Sequence, residues 1–458
     1  MKNILLLLLL IFFVVDSFAQ QMPAFKLVRY DDDYSFLKKD TSKNDWYKKT
    51  KFQPLSKNRD AYVSFGGDVR YQYFYFKNEG WGTQPKDNDG YIFSRYLIHA
   101  DFHAGKYFRT YVQLQSSLAN GKINSSPVDE NQLDLHQAFF DVVLPVAEKK
   151  NLTIRIGRQE FLYGTQRIIS VREGPNNRNA FDAAKLFYTS RNFRADAFFS
   201  HYVLSKRNIF DDGFNKNTKF WGGYAVINRI PIVANADLYY LGLWKQSVAY
   251  DAGTARELRH SVGTRVWKRN NYWQYDFEAL YQWGKFGTGN ITAWTLSSNT
   301  TYTFASLKYK PQFNLKTEFI SGDKKYDDNK LNTFNPLFPR GAYFGYAAII
   351  GPANLQDIHP SISAAVSKKL NVSVDYDAFW RYSSNDGIYG PSTALIFSGK
   401  SNDHKFIGNQ CSVFFIYEPG NFLYFRGEFT WFKAGDFLEA AGAGNDILFT
   451  GLTAQFKF

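Results

Sequence analysis

The chain has 458 residues, of which 19% are aromatic (44 Phe, 31 Tyr, 10 Trp) and 21% charged, a composition too rich in ring side chains for a disordered chain. A single cysteine, Cys411, excludes a disulfide framework and paired-cysteine zinc sites. With 55 Lys plus Arg against 42 Asp plus Glu the formal charge is +13, which favours an anionic partner.

In chain order, the apolar run Ile4 to Val15 comes first, and it falls short of the roughly 20 residues a spanning helix needs. With Lys2 before it and Ser17-Phe18-Ala19 after it, it reads as a secretory signal, residues 1–19, cleaved after Ala19. An exported basic chain with neither a paired-cysteine finger nor a helical basic region implies no nucleic acid partner. Residues 20–60 are polar, with Asp31-Asp32-Asp33 and the cluster Lys38, Lys39, Lys43, Lys48, Lys49 and Lys51. They predict a leader segment too short for a domain or a plug.

From residue 61 to 458 apolar and polar positions alternate in stretches bounded by Gly, Asn, Asp and Pro, which is the pattern of half-buried strands. The stretches predict about eighteen strands, starting with Ala61–Lys77, Tyr91–Gly105 and Tyr107–Leu118 and ending with Asn421–Lys433 and Ile447–Phe458. In Tyr272–Gly284 one face carries Trp273, Tyr275, Phe277, Tyr281 and Trp283, and the other Gln274, Asp276, Glu278 and Gln282. So many long aromatic strands suit an all-β transmembrane antiparallel barrel, with rings toward lipid and polar groups inside, better than a sandwich core. Leu452, Ala454, Phe456 and Phe458 alternate to a terminal phenylalanine, which resembles the assembly signal of bacterial outer-membrane proteins.

The faces opposite the aromatics place Arg70, Arg95, Arg109, Arg155, Arg194, Arg259, Arg265, Lys316, Arg381 and Arg426 in the lumen, with Arg158 re-aimed there by a bulge at Gly157. Interleaved acids, among them Asp68, Asp101, Asp196, Asp237, Glu318 and Glu428, are placed to pair with them across strands. Acting together, such arginines favour anions, and their planar fork suits carboxylates. The structural alternative is an ionic ladder that only braces the wall.

The segment Leu152 to Leu186, LTIRIGRQEFLYGTQRIISVREGPNNRNAFDAAKL, resembles the alginate export family of outer-membrane porins. Further matches are SFGGDVRYQY at Ser64–Tyr73, DLHQAFFD at Asp134–Asp141, TFNPLFPRGAYFG at Thr333–Gly345 and IIGPANLQDIHPS at Ile349–Ser361. Two positions depart from the expected pattern, Asp68 in place of a glutamate and Ala183 in place of a glycine. The resemblance implies an eighteen-stranded barrel in the outer membrane of a Gram-negative bacterium, passing an anionic uronate polysaccharide through an arginine-lined pore. Periplasmic delivery proteins and outer-membrane lipid are the implied partners, and a monomer is expected.

With both termini periplasmic, residues 164–182 form an extracellular loop whose Arg167, Arg172, Arg178, Glu173 and Asp182 are expected to fold back over the pore mouth. Residues 322–357 form a second, long extracellular loop, expected to act as a lid or constriction. No Gly-x-Ser-x-Gly, His-Glu-x-x-His or complete phosphate loop occurs, so no enzyme, cofactor or metal site is expected. Three functions compete: a passive channel for anionic oligo- or polysaccharide or related carboxylates, a general diffusion porin with mild anion preference, and a surface-exposed binding or enzymatic barrel whose lumen is closed.

Overall fold

The computed structural model describes residues 24–40, 45–326 and 328–458. The secretory signal assigned to residues 1–19 lies outside the described residues. Eighteen strands form the wall: β1 (Ala61–Lys77), β2 (Tyr91–Ala104), β3 (Phe108–Asn120), β4 (Asn131–Ala147), β5 (Lys150–Gln159) and β6 (Phe181–Thr189). There follow β7 (Phe193–Tyr202), β8 (Thr218–Ile230), β9 (Ala234–Tyr250), β10 (Gly253–Lys268), β11 (Trp273–Phe286) and β12 (Gly289–Thr303). The wall is completed by β13 (Gln312–Ile320), β14 (Leu355–Ala365), β15 (Leu370–Arg381), β16 (Phe406–Tyr417), β17 (Leu423–Ala434) and β18 (Ile447–Lys457). Each pairs antiparallel with its neighbours in sequence, and β18 returns to β1 in the register Asp68↔Lys457 to Lys77↔Leu448, so the sheet has no free edge.

Burial follows the predicted faces. On β11 the rings of Trp273, Phe277, Tyr281 and Trp283 are exposed while Glu278, Leu280 and Gln282 are buried. β17 does the same, with Phe429 and Trp431 outside and Glu428 and Thr430 inside. An outward apolar surface of this extent suits hydrocarbon, where a closed ladder leaves no backbone group unpaired.

The two ends differ. At the end where β1 starts and β18 finishes the connections are mostly short, such as 148–149 and 190–192, whereas the other end carries the long connections 160–180, 321–354 and 382–405. These long segments turn into the lumen. Phe338 N donates to Ile168 O (2.9 Å) and Ser170 N to Phe338 O (2.8 Å), so 160–180 and 321–354 pair with each other inside the barrel. Around them an aromatic cluster forms in which Phe334, Phe338, Tyr343 and Phe344 of the long loop pack on inward rings of the wall, including Phe74, Phe181, Phe220, Phe379 and Phe432.

Among the described residues, the segment before β1 has three short helical turns, Arg29–Asp31, Ser35–Lys39 and Trp46–Lys51. It is too short to be a folded plug domain, yet it enters the lumen from the terminal end. Tyr30 packs edge-on against Tyr111 and Phe139 of the inner wall, and its hydroxyl donates to Glu160 O (2.7 Å). The Arg29 guanidinium donates to Gly67 O (2.8 Å) and to Phe458 O (2.9 Å), tying this segment to the seam where β1 meets β18. Val28 and Tyr30 share a small apolar cluster with Val171 of the 160–180 loop, so material entering from opposite ends meets within the barrel.

Candidate functional site: the interior of the barrel

The long-range strand register sets the interior chemistry, because inward positions of neighbouring strands face one another at the same height. Arg155 of β5 lies opposite Asp141 of β4 and donates from Nε and Nη2 to both carboxylate oxygens at 2.7 Å. Arg109 makes the same two-pronged contact with Asp101 at 2.7 Å, and Arg265 bridges Asp276 and Asp237. Arg194 pairs with Asp196 (2.8 Å), Lys316 with Glu318 (3.1 Å), Arg426 with Glu428 and Arg259 with Glu257. Nearly every wall cation expected in the lumen therefore has a carboxylate partner, and Arg194, with 43% of its side chain accessible, is the most open of these wall arginines.

Two residues take other places. The register runs unbroken through Gly157, so no bulge re-aims Arg158; it keeps the outward parity of Ile154 and Ile156 and pairs with Asp182 at 2.8 Å. Gly157 instead holds φ +130, and a Cβ there would run into Ala138 O. Arg381 is fully buried and donates to the carbonyls of Ser384, Asp386, Asn402 and His404, which makes it a clasp for the 382–405 loop. Asp182, grouped in sequence with the pore-mouth loop, is the second residue of β6.

The remaining mouth residues reach deep into the barrel. Glu173 is the centre of one cluster: Arg95 Nη2 lies 2.5 Å from its Oε1, Arg70 Nη1 3.5 Å from the same oxygen, and Arg178 Nη1 3.2 Å from Oε2. Arg70 also donates to the carbonyls of Glu173 (2.7 Å) and Pro175 (2.9 Å). Burial alone would raise the Glu173 pKa, but Arg95, Arg178 and Arg70 together hold it well below the usual carboxylate range. Arg178 meanwhile pairs with Glu160, which also bonds His136 Nε2 at 2.8 Å, and donates to Leu27 O of the N-terminal segment (3.0 Å).

Arg167 is the centre of the second cluster. It bonds Glu318 (2.7 Å), Glu278 (2.7 Å) and the Tyr343 hydroxyl (2.9 Å), joining both loops to the wall at β11 and β13. The Arg172 guanidinium donates to Asn177 O (3.2 Å) and to the Tyr202 hydroxyl (3.4 Å). The long loop is further pinned where Arg259 donates to Thr333 O (3.2 Å) and Asn335 Nδ2 to the Tyr250 hydroxyl (2.8 Å).

Sequence reasoning missed several of these groups. Lys185 sits inside against Asp196 (2.8 Å) and was hidden in a weak strand, although its alternation with outward Ala184 and Leu186 carried the signal. Tyr343 lies in a loop, where no period assigns a face. At the terminal end, on the side away from the N-terminal segment, a cavity of about 580 Å³ is lined mainly by amides and hydroxyls, among them Asn271, Gln274, Thr303, Gln312, Ser363 and Asn371.

A closed eighteen-stranded barrel with an apolar exterior, long inward loops at one end and an ion-paired lumen is the architecture of an outer-membrane channel. The family model described as alginate export matches residues 61–446, and the chain belongs to that family. Among solved structures the barrel is similar to OccAB1 of Acinetobacter baumannii (13% identity, 90% of this chain and 99% of that one, TM-score 0.59). It is also similar to OprD of Pseudomonas aeruginosa (13%, 90% and 96%, TM-score 0.54). A third similar structure is OpdK of P. aeruginosa, solved with vanillate (10%, 87% and 98%, TM-score 0.56). A search of curated proteins found no match. The protein is thus an outer-membrane barrel of the kind found in Gram-negative bacteria.

Proposed function

We propose that the protein is a channel for anionic oligo- or polysaccharides of the uronate type, and that Arg70, Arg95 and Arg178 form the site that recognises each passing carboxylate. The observation that carries this reading is the convergence of three guanidinium groups on one loop carboxylate, Glu173. Glu173 occupies the position a substrate carboxylate would take. Arginine is suited to the task because its planar fork donates two parallel bonds and it stays charged at every working pH. Passage requires the 160–180 loop to withdraw Glu173, which frees a cationic site where low-dielectric walls strengthen its field. Family membership supports a polysaccharide substrate.

The test is current block in a planar bilayer. Oligouronates should block the unmodified pore more strongly than neutral oligosaccharides of equal length, and the difference should shrink at high salt as screening shortens the reach of the arginines. Changing Arg70 and Arg95 together to Gln should remove the difference. Equal block by both sugars in the unmodified pore would assign the protein to general diffusion instead.

A further inference from the structure

Among the described residues, two groups of three ligating side chains converge: Asp134, Asp211 and Asp212 near the rim that carries the long loops, and Asp357, His359 and Asp377 inside the barrel. The first is acidic throughout and half-exposed. The second has a different character.

Asp357 and His359 are two residues apart on β14 and so share its inward face, and Asp377 projects from β15 where the register sets it beside His359. The donor atoms of the three side chains lie within 4.8 Å of one another. Both oxygens of the Asp357 carboxylate are buried without a hydrogen-bond partner, although the residue is only 2% exposed. His359 Nδ1 and Asp377 Oδ1 stand 2.7 Å apart, yet neither has a partner in hydrogen-bonding geometry. These two atoms are at ion-pair distance from one another, and both lie within reach of the unpartnered Asp357 carboxylate. The second oxygen of Asp377 accepts from Gln410 Nε2 (3.4 Å), which fixes the carboxylate, and His359 Nε2 lies 3.4 Å from Asp375, the outer-shell contact that orients ligating imidazoles.

The basic groups nearest Asp357 are engaged with other carboxylates, His359 with Asp375 and Asp377. Lys316 faces His359 in the register but bonds Glu318 (3.1 Å), and Arg167 is engaged by Glu318 and Glu278. A buried carboxyl group whose two oxygens both lack a hydrogen-bond partner is unfavourable. We infer that Asp357, His359 and Asp377 bind a divalent transition-metal cation within the barrel wall. Two carboxylates and an imidazole match the ligand preference of Zn²⁺ and its neighbours, whereas Ca²⁺ takes six to eight oxygens and rarely an imidazole. Zinc bonds to such ligands at about 2.0–2.2 Å, so the donor atoms need close by no more than roughly 1 Å around it. Glu318, adjacent to the site, also holds Arg167 and Tyr343, so the cation would stiffen the part of the wall on which both loops are anchored.

This inference does not rest on the channel's substrate, and its test uses no transport. The full-length barrel, purified in detergent and stripped with EDTA, is titrated with Zn²⁺ by calorimetry, and the Co²⁺ form is followed by its visible absorption. One Zn²⁺ per barrel is expected. Asp357→Asn and His359→Gln should each weaken binding at least tenfold, His359→Gln should alter the Co²⁺ spectrum, and Asp211→Asn should change neither. Heat-modified gel mobility establishes that each variant is a folded barrel, and Asp377→Asn replaces any variant that is not. Absence of Zn²⁺ uptake, uptake unchanged in the Asp357 and His359 variants, or loss only in Asp211→Asn would overturn the assignment.

Discussion

Glu173 holds the 160–180 loop in the lumen through the wall arginines Arg70 and Arg95, with Arg178 of the same loop beside it, so its charge is the term most directly linked to closure. Charge-assisted hydrogen bonds of this kind contribute about 2–3 kcal/mol when the arginines would otherwise be left unpaired. Glu173→Gln should therefore raise the population of the withdrawn loop by roughly 30- to 100-fold, since each 1.4 kcal/mol is a factor of ten. Single-channel recording should show this as more frequent and longer openings, with the barrel fold intact. The depressed pKa of Glu173 means that its anchoring is present above the ordinary carboxylate range and is lost only as pH falls far below it. Mild acidification to about pH 5 should leave this anchor closed.

The loops themselves respond to pH through another pair. Asp323, at the start of the long loop, lies near Asp386 in the 382–405 loop: Asp323 N donates to Asp386 Oδ2 at 2.7 Å. Burial, with the neighbouring Asp386 charge, pushes the Asp323 carboxyl up to about 7. Because this group keeps in the packed loop a proton that an opened loop would release near pH 4, its contribution is complete below that value and lost as pH rises through 7. Hydrogen exchange of residues 321–335, corrected for intrinsic rates, should show less protection at pH 8 than at pH 5. Asp323→Asn should flatten that difference. The strands were legible in the sequence because a period of two survives in every wall segment; Ala61–Lys77 matches at both ends, and the others deviate by a few residues at their ends. Loop placement was not legible, since nothing periodic states that Phe338 pairs with Ile168 or that Glu173 reaches Arg95. The inward aromatics were hidden for the same reason: Phe74 and Phe93 pack against the folded-in loop cluster, which the strand pattern alone does not reveal.

At the scale of the whole molecule, the seam that closes the barrel runs from Lys77↔Leu448 to Asp68↔Lys457 and extends to Phe458. Phe458 and Gly67 exchange backbone hydrogen bonds of 3.0 Å each, and Arg29 caps the same seam. Deleting Phe456 to Phe458 should reduce the amount of heat-modifiable barrel in the outer membrane while secretion continues; normal levels would remove the role of the terminus in assembly. The partners of the wall arginines were legible in sequence only as a tendency, and the structure pairs Arg109, Arg155, Arg194 and Arg265 closely with carboxylates. Anion preference therefore belongs to the state in which Glu173 has left its arginines. The most direct test is the reversal potential of the Glu173→Gln channel under a potassium chloride gradient, compared with the unmodified channel. The account predicts a shift toward chloride selectivity in the variant, abolished when Arg70 and Arg95 are also changed to Gln. An unchanged potential, or a shift toward potassium, would contradict it.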